Sequence, residues 1–215
     1  MWIPTISPIE MHPFSISSNP ESGVMSFTIQ AGGNWTKKLA TNPVEYVWVD
    51  ASYSALTIPL TLYPRLVMVA GGIGITPIIS IIKSIKERNT KSPEKSAYVE
   101  LVWSSRHLDL FSHFYSDLVD VTEDKLIRVH LYYTGKEDVR ATIGDQCSIE
   151  FCNSIKISRV NVADLLDAYA DKLTSRANVG VISCGTAELV GATARACSIP
   201  RKNCLYVHHT ELFGL

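Results

Sequence analysis

A glycine-rich segment stands where an apolar run passes into a helical pattern, a position suited to binding phosphate groups. Residues 70–77 read Ala-Gly-Gly-Ile-Gly-Ile-Thr-Pro and follow the apolar residues 66–70. Glycines there let the backbone approach a pyrophosphate, and the helix start offers N–H groups and a positive dipole end. Thr76 can cap this helix and Pro77 suits its first turn. A glycine turn that only packs the helix on the sheet is the alternative. The predicted dinucleotide turn comprises Gly71, Gly72, Gly74, Thr76 and Pro77.

Polar residues follow two later strand patterns. Ser104, Ser105 and Arg106 end the second strand of the series, where two hydroxyls and a guanidinium would bind a 2′-phosphate and favour NADPH over NADH. A polar strand end is the alternative. Cys184 and Gly185 end another strand, where a small thiol followed by glycine would let a nicotinamide ring come close. A buried packing cysteine is the alternative for that position.

An extended segment near the start combines rings with hydroxyl groups. Residues 12–18 read His-Pro-Phe-Ser-Ile-Ser-Ser, so an aromatic heterocycle could lie on the strand while its hydroxyls reach ring nitrogens and a phosphate chain. The alternative is an amphipathic strand with a solvated serine face. The residues of interest here are His12, Pro13, Phe14, Ser15, Ser17 and Ser18.

The elements that must position these residues fall into two parts. Short β-like runs at residues 12–18, 24–31 and 44–50 are separated by turn residues and predict part of a small antiparallel barrel. From residue 66 strands alternate with helices, which predicts an α/β fold with a doubly wound parallel sheet of five strands. Residues 134–159 are predicted to be mainly loop. We therefore expect a partial barrel over residues 1–60 and an α/β domain over residues 61–215.

Composition excludes several classes of protein. The 215 residues are 46% hydrophobic and 19% charged, with a net charge of −1, so neither a disordered chain nor a basic nucleic-acid or membrane patch is indicated. The five cysteines lack paired C-x-x-C spacing, which suits a reducing compartment better than disulfides or a zinc site. No metal site is predicted, and the N-terminus has no signal-peptide pattern. Residues 66–82 carry no charge, but glycines and a proline divide them into strand, turn and helix.

The order of these motifs resembles the cytosolic flavin dehydrogenase domain of the ferric reductase and NADPH oxidase family, which is similar in fold to ferredoxin-NADP reductase. The resemblance rests on residues 12–18, 33–39, 71–77, 184–185 and the tail 208–213, and residues 186–215 look most like plant-type ferric-chelate reductases. It implies FAD and NADPH as cofactors. It also implies a module that takes hydride from NADPH onto FAD and passes electrons singly toward haem and ferric chelate.

The resemblance assigns roles to individual residues. Residues 12–18 would hold the flavin and its ribityl chain, and the glycine turn would hold the NADPH pyrophosphate. The implied catalytic residues are Ser15, Cys184, Glu211 and Phe213, with Phe213 covering the flavin ring. Residues implied at the FAD pyrophosphate are Gly33, Trp35 and Thr36; those implied elsewhere along NADPH are Arg106 at the 2′-phosphate, Arg159 at the adenine end, and Cys184 and Gly185 at the nicotinamide.

The chain also departs from the family pattern. A Gly-Pro-Tyr-Gly turn is replaced by residues 50–54, in which only Tyr53 survives, and Thr186 replaces a proline. We expect the haem to belong to a transmembrane domain outside this chain. The chain itself is expected to be soluble and to lie on the cytosolic side of a membrane. No nucleic-acid partner is expected. Three alternatives remain open: the dehydrogenase module of a superoxide-generating oxidase, a soluble ferredoxin-reductase-like enzyme, and a non-catalytic truncated paralogue acting as a binding subunit.

Overall fold

A single sheet of six parallel strands forms the larger part of the molecule. The computed structural model describes residues 1–19, 23–50 and 59–211. The sheet has the order β4-β3-β2-β1-β5-β6. Its strands are β1 (Arg65–Gly71), β2 (Tyr98–Ser105), β3 (Ile127–Tyr133), β4 (Ile155–Ile157), β5 (Ala177–Cys184) and β6 (Cys204–Glu211). The predicted α/β class with a doubly wound parallel sheet is confirmed.

Helices alternate with these strands and cover both faces of the sheet. After α1 (Asn34–Thr41), which precedes the sheet, they are α2 (Ile75–Lys91), α3 (Leu108–His113), α4 (Tyr115–Thr122), α5 (Val139–Ile143), α6 (Ile149–Ser154), α7 (Val162–Asp171) and α8 (Ala187–Ser198). One buried cluster joins the sheet to α2–α6, and a second joins the opposite face to α7 and α8. The central strands β1 and β5 contribute residues to both clusters and are therefore apolar on both sides, as is typical of parallel strands inside a sheet.

The prediction that residues 134–159 are mainly loop was wrong. This segment contains α5, α6 and β4, and β4 extends the sheet to six strands rather than five. These elements are too short to show a hydrophobic period. Their caps were nevertheless visible in the sequence, since the side chains of Asp138 and Ser148 accept hydrogen bonds from the backbone N–H groups of Ala141 and Phe151.

The described residues among the first 50 pair in the antiparallel manner expected of a partial barrel, but only through isolated bridges. Trp2 pairs with both Met11 and Trp48, and Ile16 pairs with Phe27. Ile3, Ile6 and Trp35 form a small core of their own. Because these pairings are short, side-chain packing stabilises the arrangement of this region more than a continuous ladder of strand hydrogen bonds does.

The uncharged stretch at residues 66–82 is divided as predicted. It forms most of β1, the tight turn Gly72–Gly74 and the first half of α2. Among the described residues no helix combines the length and the apolar character that crossing a bilayer requires.

Candidate functional site

The strand order reverses between β1 and β5, and the predicted dinucleotide turns meet at this point. β1 has β2 on one side and β5 on the other, with Gly71 opposite Ser104 and Ala70 opposite Cys184. The crevice at the carboxyl ends of strands beside such a switch point is the usual ligand site of open α/β sheets. The fold thus brings together the glycine turn after β1 and the Cys184-Gly185 turn after β5.

These two turns pack backbone against backbone. A Cβ atom added to Gly74 would lie 2.5 Å from the carbonyl oxygen of Cys184, and one added to Gly185 would lie 3.0 Å from the nitrogen of Gly71. Gly185 also has a φ of +154°, which L side chains rarely adopt. The glycines are therefore needed for the contact between the turns themselves.

Gly72 has a different environment. Its φ is +52°, and an added Cβ would meet no atom within 4 Å, so open space lies beside the backbone at this position. The indole N–H of Trp103 in β2 donates to the carbonyl oxygen of Gly72 at 2.9 Å and holds the turn in place. Sequence reasoning missed this role of Trp103, because a tryptophan in an apolar strand pattern gives no sign of its hydrogen-bond partner. The open space and the glycine backbone fit a pyrophosphate.

Thr76 does not cap α2 as predicted. Gly74 is the residue before the helix and makes no side-chain cap, while the buried Thr76 hydroxyl donates to the carbonyl oxygen of Ile73 at 2.9 Å. Thr76 thus fixes the shape of the turn from within. Pro77 lies in the first helical turn, as predicted.

The residues predicted to bind a 2′-phosphate differ in their availability. The Ser105 hydroxyl is buried, donates to the carbonyl oxygen of His107 at 3.1 Å and accepts from the His107 N–H at 3.0 Å. Its hydrogen bonds therefore shape the turn. Arg106 is exposed, Ser104 is half-buried, and no described carboxylate forms an ion pair with Arg106. Arg106 can therefore meet a phosphate more readily than Ser105 can.

Arg159 lies further away from the glycine turn. It follows β4, and β3 and β2 separate that strand from β1. At about 4.8 Å per strand, Arg159 lies on the order of 10 Å across the sheet from the end of β2. Arg159 therefore follows a strand that does not neighbour the strand preceding Arg106.

The nicotinamide side of the predicted site presents backbone rather than thiol. Cys184 has no exposed surface, and its side chain belongs to the core on the α2 face of the sheet. Gly185 is half-buried. A flat ring at this point would meet the Cys184-Gly185 backbone.

Two histidines of β6 lie near this end of the sheet. Burial lowers the pKa of His208, and the charge of its neighbour His209 lowers it further. Burial also lowers the pKa of His209. Both rings therefore favour the neutral form more than a solvated histidine does.

The predicted flavin strand is part of a ring cluster. The His12 and Trp35 ring centroids are 4.7 Å apart, and those of Phe14 and Trp35 are 5.7 Å apart in a stacked arrangement. Two polar atoms of this cluster, Nε2 of His12 and Nε1 of Trp35, are buried without a hydrogen-bond partner among the described residues. Buried polar atoms without partners are costly, so a polar ligand that reaches them would remove a penalty. The cluster therefore fits a cofactor with ring nitrogens and carbonyl groups.

The hydroxyls of Ser15, Ser17 and Ser18 in the predicted flavin strand differ in whether they have a partner within the protein. The Ser17 hydroxyl donates to the Ser26 carbonyl oxygen at 3.1 Å, and the Ser18 hydroxyl accepts from the Ser26 N–H at 3.1 Å. Both hydroxyls thus stabilise the local pairing. Ser15 makes no hydrogen bond through its side chain within the described part of the chain. Of the three, Ser15 is the hydroxyl left for a ligand.

The start of α1 is fixed by Thr36. Its hydroxyl accepts from the Gly33 N–H at 3.0 Å and donates to the Gly33 carbonyl oxygen at 3.1 Å. A Cβ on Gly33 would meet only that hydroxyl oxygen, at 4.0 Å. The backbone at this helix start is consequently accessible to a phosphate group.

The two candidate regions are in direct contact through α2. The Ser80 hydroxyl donates to the Ser18 carbonyl oxygen at 2.7 Å, and the Thr28 hydroxyl lies 3.4 Å from Nε2 of His113 in α3. Ser80 stands five residues into a helix that begins at Ile75, which is about 8 Å along the axis at 1.5 Å per residue. The end of the predicted flavin strand therefore lies near the helix that starts at the glycine turn.

Some predicted residues fall outside what can be described. The backbone of Glu211 is opposite Cys184 at the end of β6. Phe213, with the rest of 212–215, and the altered turn beyond Asp50, including Tyr53, lie outside the described residues.

Two family models together match most of the chain. One, described as the ferric reductase NAD binding domain, matches residues 63–198. The other, described as an FAD-binding domain, matches residues 1–62.

Individual proteins agree with these matches. Dual oxidase of Drosophila melanogaster is 27% identical over 240 residues, which cover 96% of this chain and 16% of that protein. Ferric reduction oxidase 4 of Arabidopsis thaliana is 31% identical over 158 residues, which cover 67% of this chain and 22% of that protein. The chain thus spans less than a quarter of the length of these two relatives.

A solved structure shares the fold. The CS-b5R domains of human Ncb5or, in an NAD+ form, superimpose with a TM-score of 0.50 at 13% sequence identity, covering 90% of this chain and 54% of that one.

Proposed function

Because this chain belongs to the ferric reductase family, with an FAD-binding part joined to an NAD-binding domain, we propose that it is a flavin-dependent reductase module using NADPH. In the parent protein its electrons would pass through haem to a ferric chelate. The observation that carries this proposal is the hydrogen bond from Ser80 to Ser18, because it joins the end of the strand proposed for the flavin to the helix that begins at the glycine turn. Residues 1–60 would be the FAD-binding part, and residues 61–215 the NADPH-binding part.

The NADPH-binding residues would act mainly through their backbone. The open space beside Gly72 would take the pyrophosphate, Gly71 and Gly74 would keep the two turns close together, and the Gly185 backbone would face the nicotinamide. Arg106, with Ser104, would bind the 2′-phosphate. Pro77, Thr76 and Ser105 would support these groups by shaping the turns that carry them.

The FAD-binding residues would act mainly through side chains. His12 and Trp35 would satisfy their buried nitrogens against the cofactor, Phe14 would stack within the same cluster, and Ser15 would hydrogen-bond the flavin edge. Gly33 and Thr36 would place the start of α1 at the FAD pyrophosphate.

Bound FAD would supply the chemistry that the side chains lack, accepting a hydride and releasing electrons one at a time. The protein's contribution would be placement: the Cys184-Gly185 turn and the Ser15 strand would hold the two rings in position. The roles of Glu211 and Phe213 at the flavin remain part of the proposal.

The acceptor distinguishes this proposal from its main competitor. Mouse NADPH oxidase 1 is 31% identical over 131 residues, which cover 57% of this chain and 22% of that protein, and this similarity favours an oxidase module that delivers electrons to dioxygen as a second candidate. In both cases a membrane haem domain would be the partner, and this chain would lie on the cytosolic side.

The test begins with the purified chain reconstituted with FAD. We expect flavin absorbance to remain bound after gel filtration and to bleach with NADPH in the absence of oxygen. Two results would contradict the enzymatic proposal and favour the binding subunit: the chain retains no flavin, or its bound flavin stays oxidised after NADPH is added. Ferric chelate reduction compared with dioxygen consumption, measured on the parent protein, then decides between the two acceptors.

Arg106→Ala tests the coenzyme assignment. Loss of a charge-assisted hydrogen bond should weaken NADPH binding by about 1.5–3 kcal/mol. The KM for NADPH should therefore rise roughly 10- to 150-fold, with little change in the KM for NADH. The matched control is Arg176→Ala. Arg176 is an exposed arginine just before β5, at the amino ends of the strands and so away from the proposed site. Equal effects on both coenzymes would reject Arg106 as the 2′-phosphate ligand.

A further inference from the structure

A partly buried hydrogen bond lies directly behind the turn proposed to face the nicotinamide. The Ser183 hydroxyl and Nε2 of His208 are 2.7 Å apart, and Ser183 has no exposed surface. Ser183 immediately precedes Cys184 and Gly185. Neither partner is among the predicted site residues.

The bond crosses between two neighbouring strands on one face of the sheet. In the β5–β6 register Val181 is opposite His208 and Ser183 is opposite Thr210. Alternate residues of a strand share a face, so Ser183 and His208 form a diagonal pair on the side of Val181, which packs in the α7–α8 core. His209 points to the other face. The bond therefore ties the end of β5 to β6 from behind the turn.

The turn after Ser183 has little room to move. An added Cβ on Gly74 would be 2.5 Å from the Cys184 carbonyl oxygen, and an added Cβ on Gly185 would be 3.0 Å from the Gly71 backbone. A shift of Ser183 would therefore move the Cys184-Gly185 backbone relative to the glycine turn.

We propose that His208 is a positioning residue which, through its hydrogen bond to Ser183, holds the Cys184-Gly185 turn in place for the nicotinamide end of NADPH. This role rests on the proposed function. It assigns His208 no contact with the coenzyme. The adenine and 2′-phosphate end, at Arg106 on the other side of β1, would not depend on it.

The experiment compares two ligands on the FAD-reconstituted chain. Binding is measured for NADPH and for adenosine 2′,5′-bisphosphate, which lacks the nicotinamide, together with the rate of flavin reduction. In His208→Phe we expect the Kd for NADPH to rise about tenfold and flavin reduction to slow by a similar factor, since a buried hydroxyl loses its partner. Binding of adenosine 2′,5′-bisphosphate should stay within about twofold of the wild type, because its site does not include this turn.

Three further variants sharpen the result. His208→Gln retains a hydrogen-bonding group and should restore most of the NADPH affinity. His209→Phe alters the adjacent half-buried histidine on the other face and should behave as the wild type. Ser183→Ala should reproduce the effect of His208→Phe, and the double variant should be no worse than either single one, as expected of two residues acting through one bond. If His208→Phe does not fold, Ser183→Ala decides.

The outcomes separate this role from the proposed function. Unchanged NADPH binding in His208→Phe and Ser183→Ala, or equal weakening of both ligands, overturns the positioning role while the proposed function stands. A wild-type chain that binds neither ligand overturns both.

Discussion

The parallel sheet and the first 50 residues, which form the two coenzyme regions, differ in how far regular strand pairing and burial fix their structure. Around the parallel sheet, residues such as Val67, Ile79 and Trp103 have no exposed surface, and every strand is fixed by a continuous register. In the described residues up to 50, pairing is limited to isolated bridges, and Trp48 is 65% exposed. The sheet can therefore present its backbone precisely to a ligand, whereas the first region relies on a cluster of side chains.

This difference has consequences for substitution. Adding atoms should do most damage at the sheet, where two turns touch through glycines. Removing atoms should do most damage in the first region, where few side chains form the core.

Trp35→Ala is expected to have the largest effect. It removes a buried ring from a core that otherwise contains Ile3 and Ile6, so the first region should lose about 3 kcal/mol of stability and its flavin. Limited proteolysis within residues 1–50 and flavin retention measure this. Trp48→Ala, at an exposed tryptophan, should cost less than about 1 kcal/mol. A comparable loss in the main unfolding transition of the sheet would show that the two regions are not energetically distinct.

Gly74→Ala is expected to have the next largest effect. The new methyl would overlap backbone atoms of Cys184, so the turns must separate at a cost of about 2 kcal/mol, with loss of NADPH binding but retention of FAD. Urea unfolding and NADPH titration measure these changes. Gly72→Ala is the matched control for stability alone: its methyl meets no protein atom, and only its positive φ should cost about 1 kcal/mol. Equal destabilisation by both variants would contradict the packing explanation.

Thr36→Val tests the helix start of the first region. It removes both hydrogen bonds to Gly33 and should cost about 1 kcal/mol and weaken FAD binding. Thr41→Val in the same helix loses only bonds to carbonyl oxygens of its last turn and should cost less than about 0.5 kcal/mol. Thermal unfolding and FAD titration compare the two variants, and identical FAD affinities would remove the start of α1 from the flavin site.

The smallest expected effect is a pH dependence of the sheet region. Burial lowers the pKa of His130, as do Lys156, Lys172 and Arg128, while Glu100 opposes them. The folded-state pKa of His130 therefore lies below its unfolded-state pKa of about 6.5. The neutral ring contributes stability that is fully present above pH 6.5 and is lost as the pH falls through the folded-state pKa. Urea midpoints at pH 7.5 and 5.5 should differ less in His130→Gln than in the wild type. An unchanged difference would assign the acid sensitivity to other groups.

The order of elements was predictable because it depends on local pattern. For the longer elements, the alternation of apolar strands with helices at 3.6-residue spacing is visible in short windows of the sequence, and so is the glycine turn between β1 and α2. The three-residue strand β4 and the short helices α5 and α6 were missed because they are shorter than the periods that reveal such elements.

Within the site, the sequence by itself determined which residue types stand at the carboxyl ends of the strands and at the first aromatic strand. Only the tertiary structure decided what each side chain does there. The hydroxyls of Ser105, Ser17 and Thr76 hydrogen-bond within the protein, whereas the side chains of Ser15 and Arg106 have no such bond to the residues that the structure describes. Trp103 holds Gly72, and His208 meets Ser183, across strands distant in sequence. A hydroxyl or ring nitrogen bonds whichever group the fold brings within about 3 Å, and that distance is set by strand order and packing.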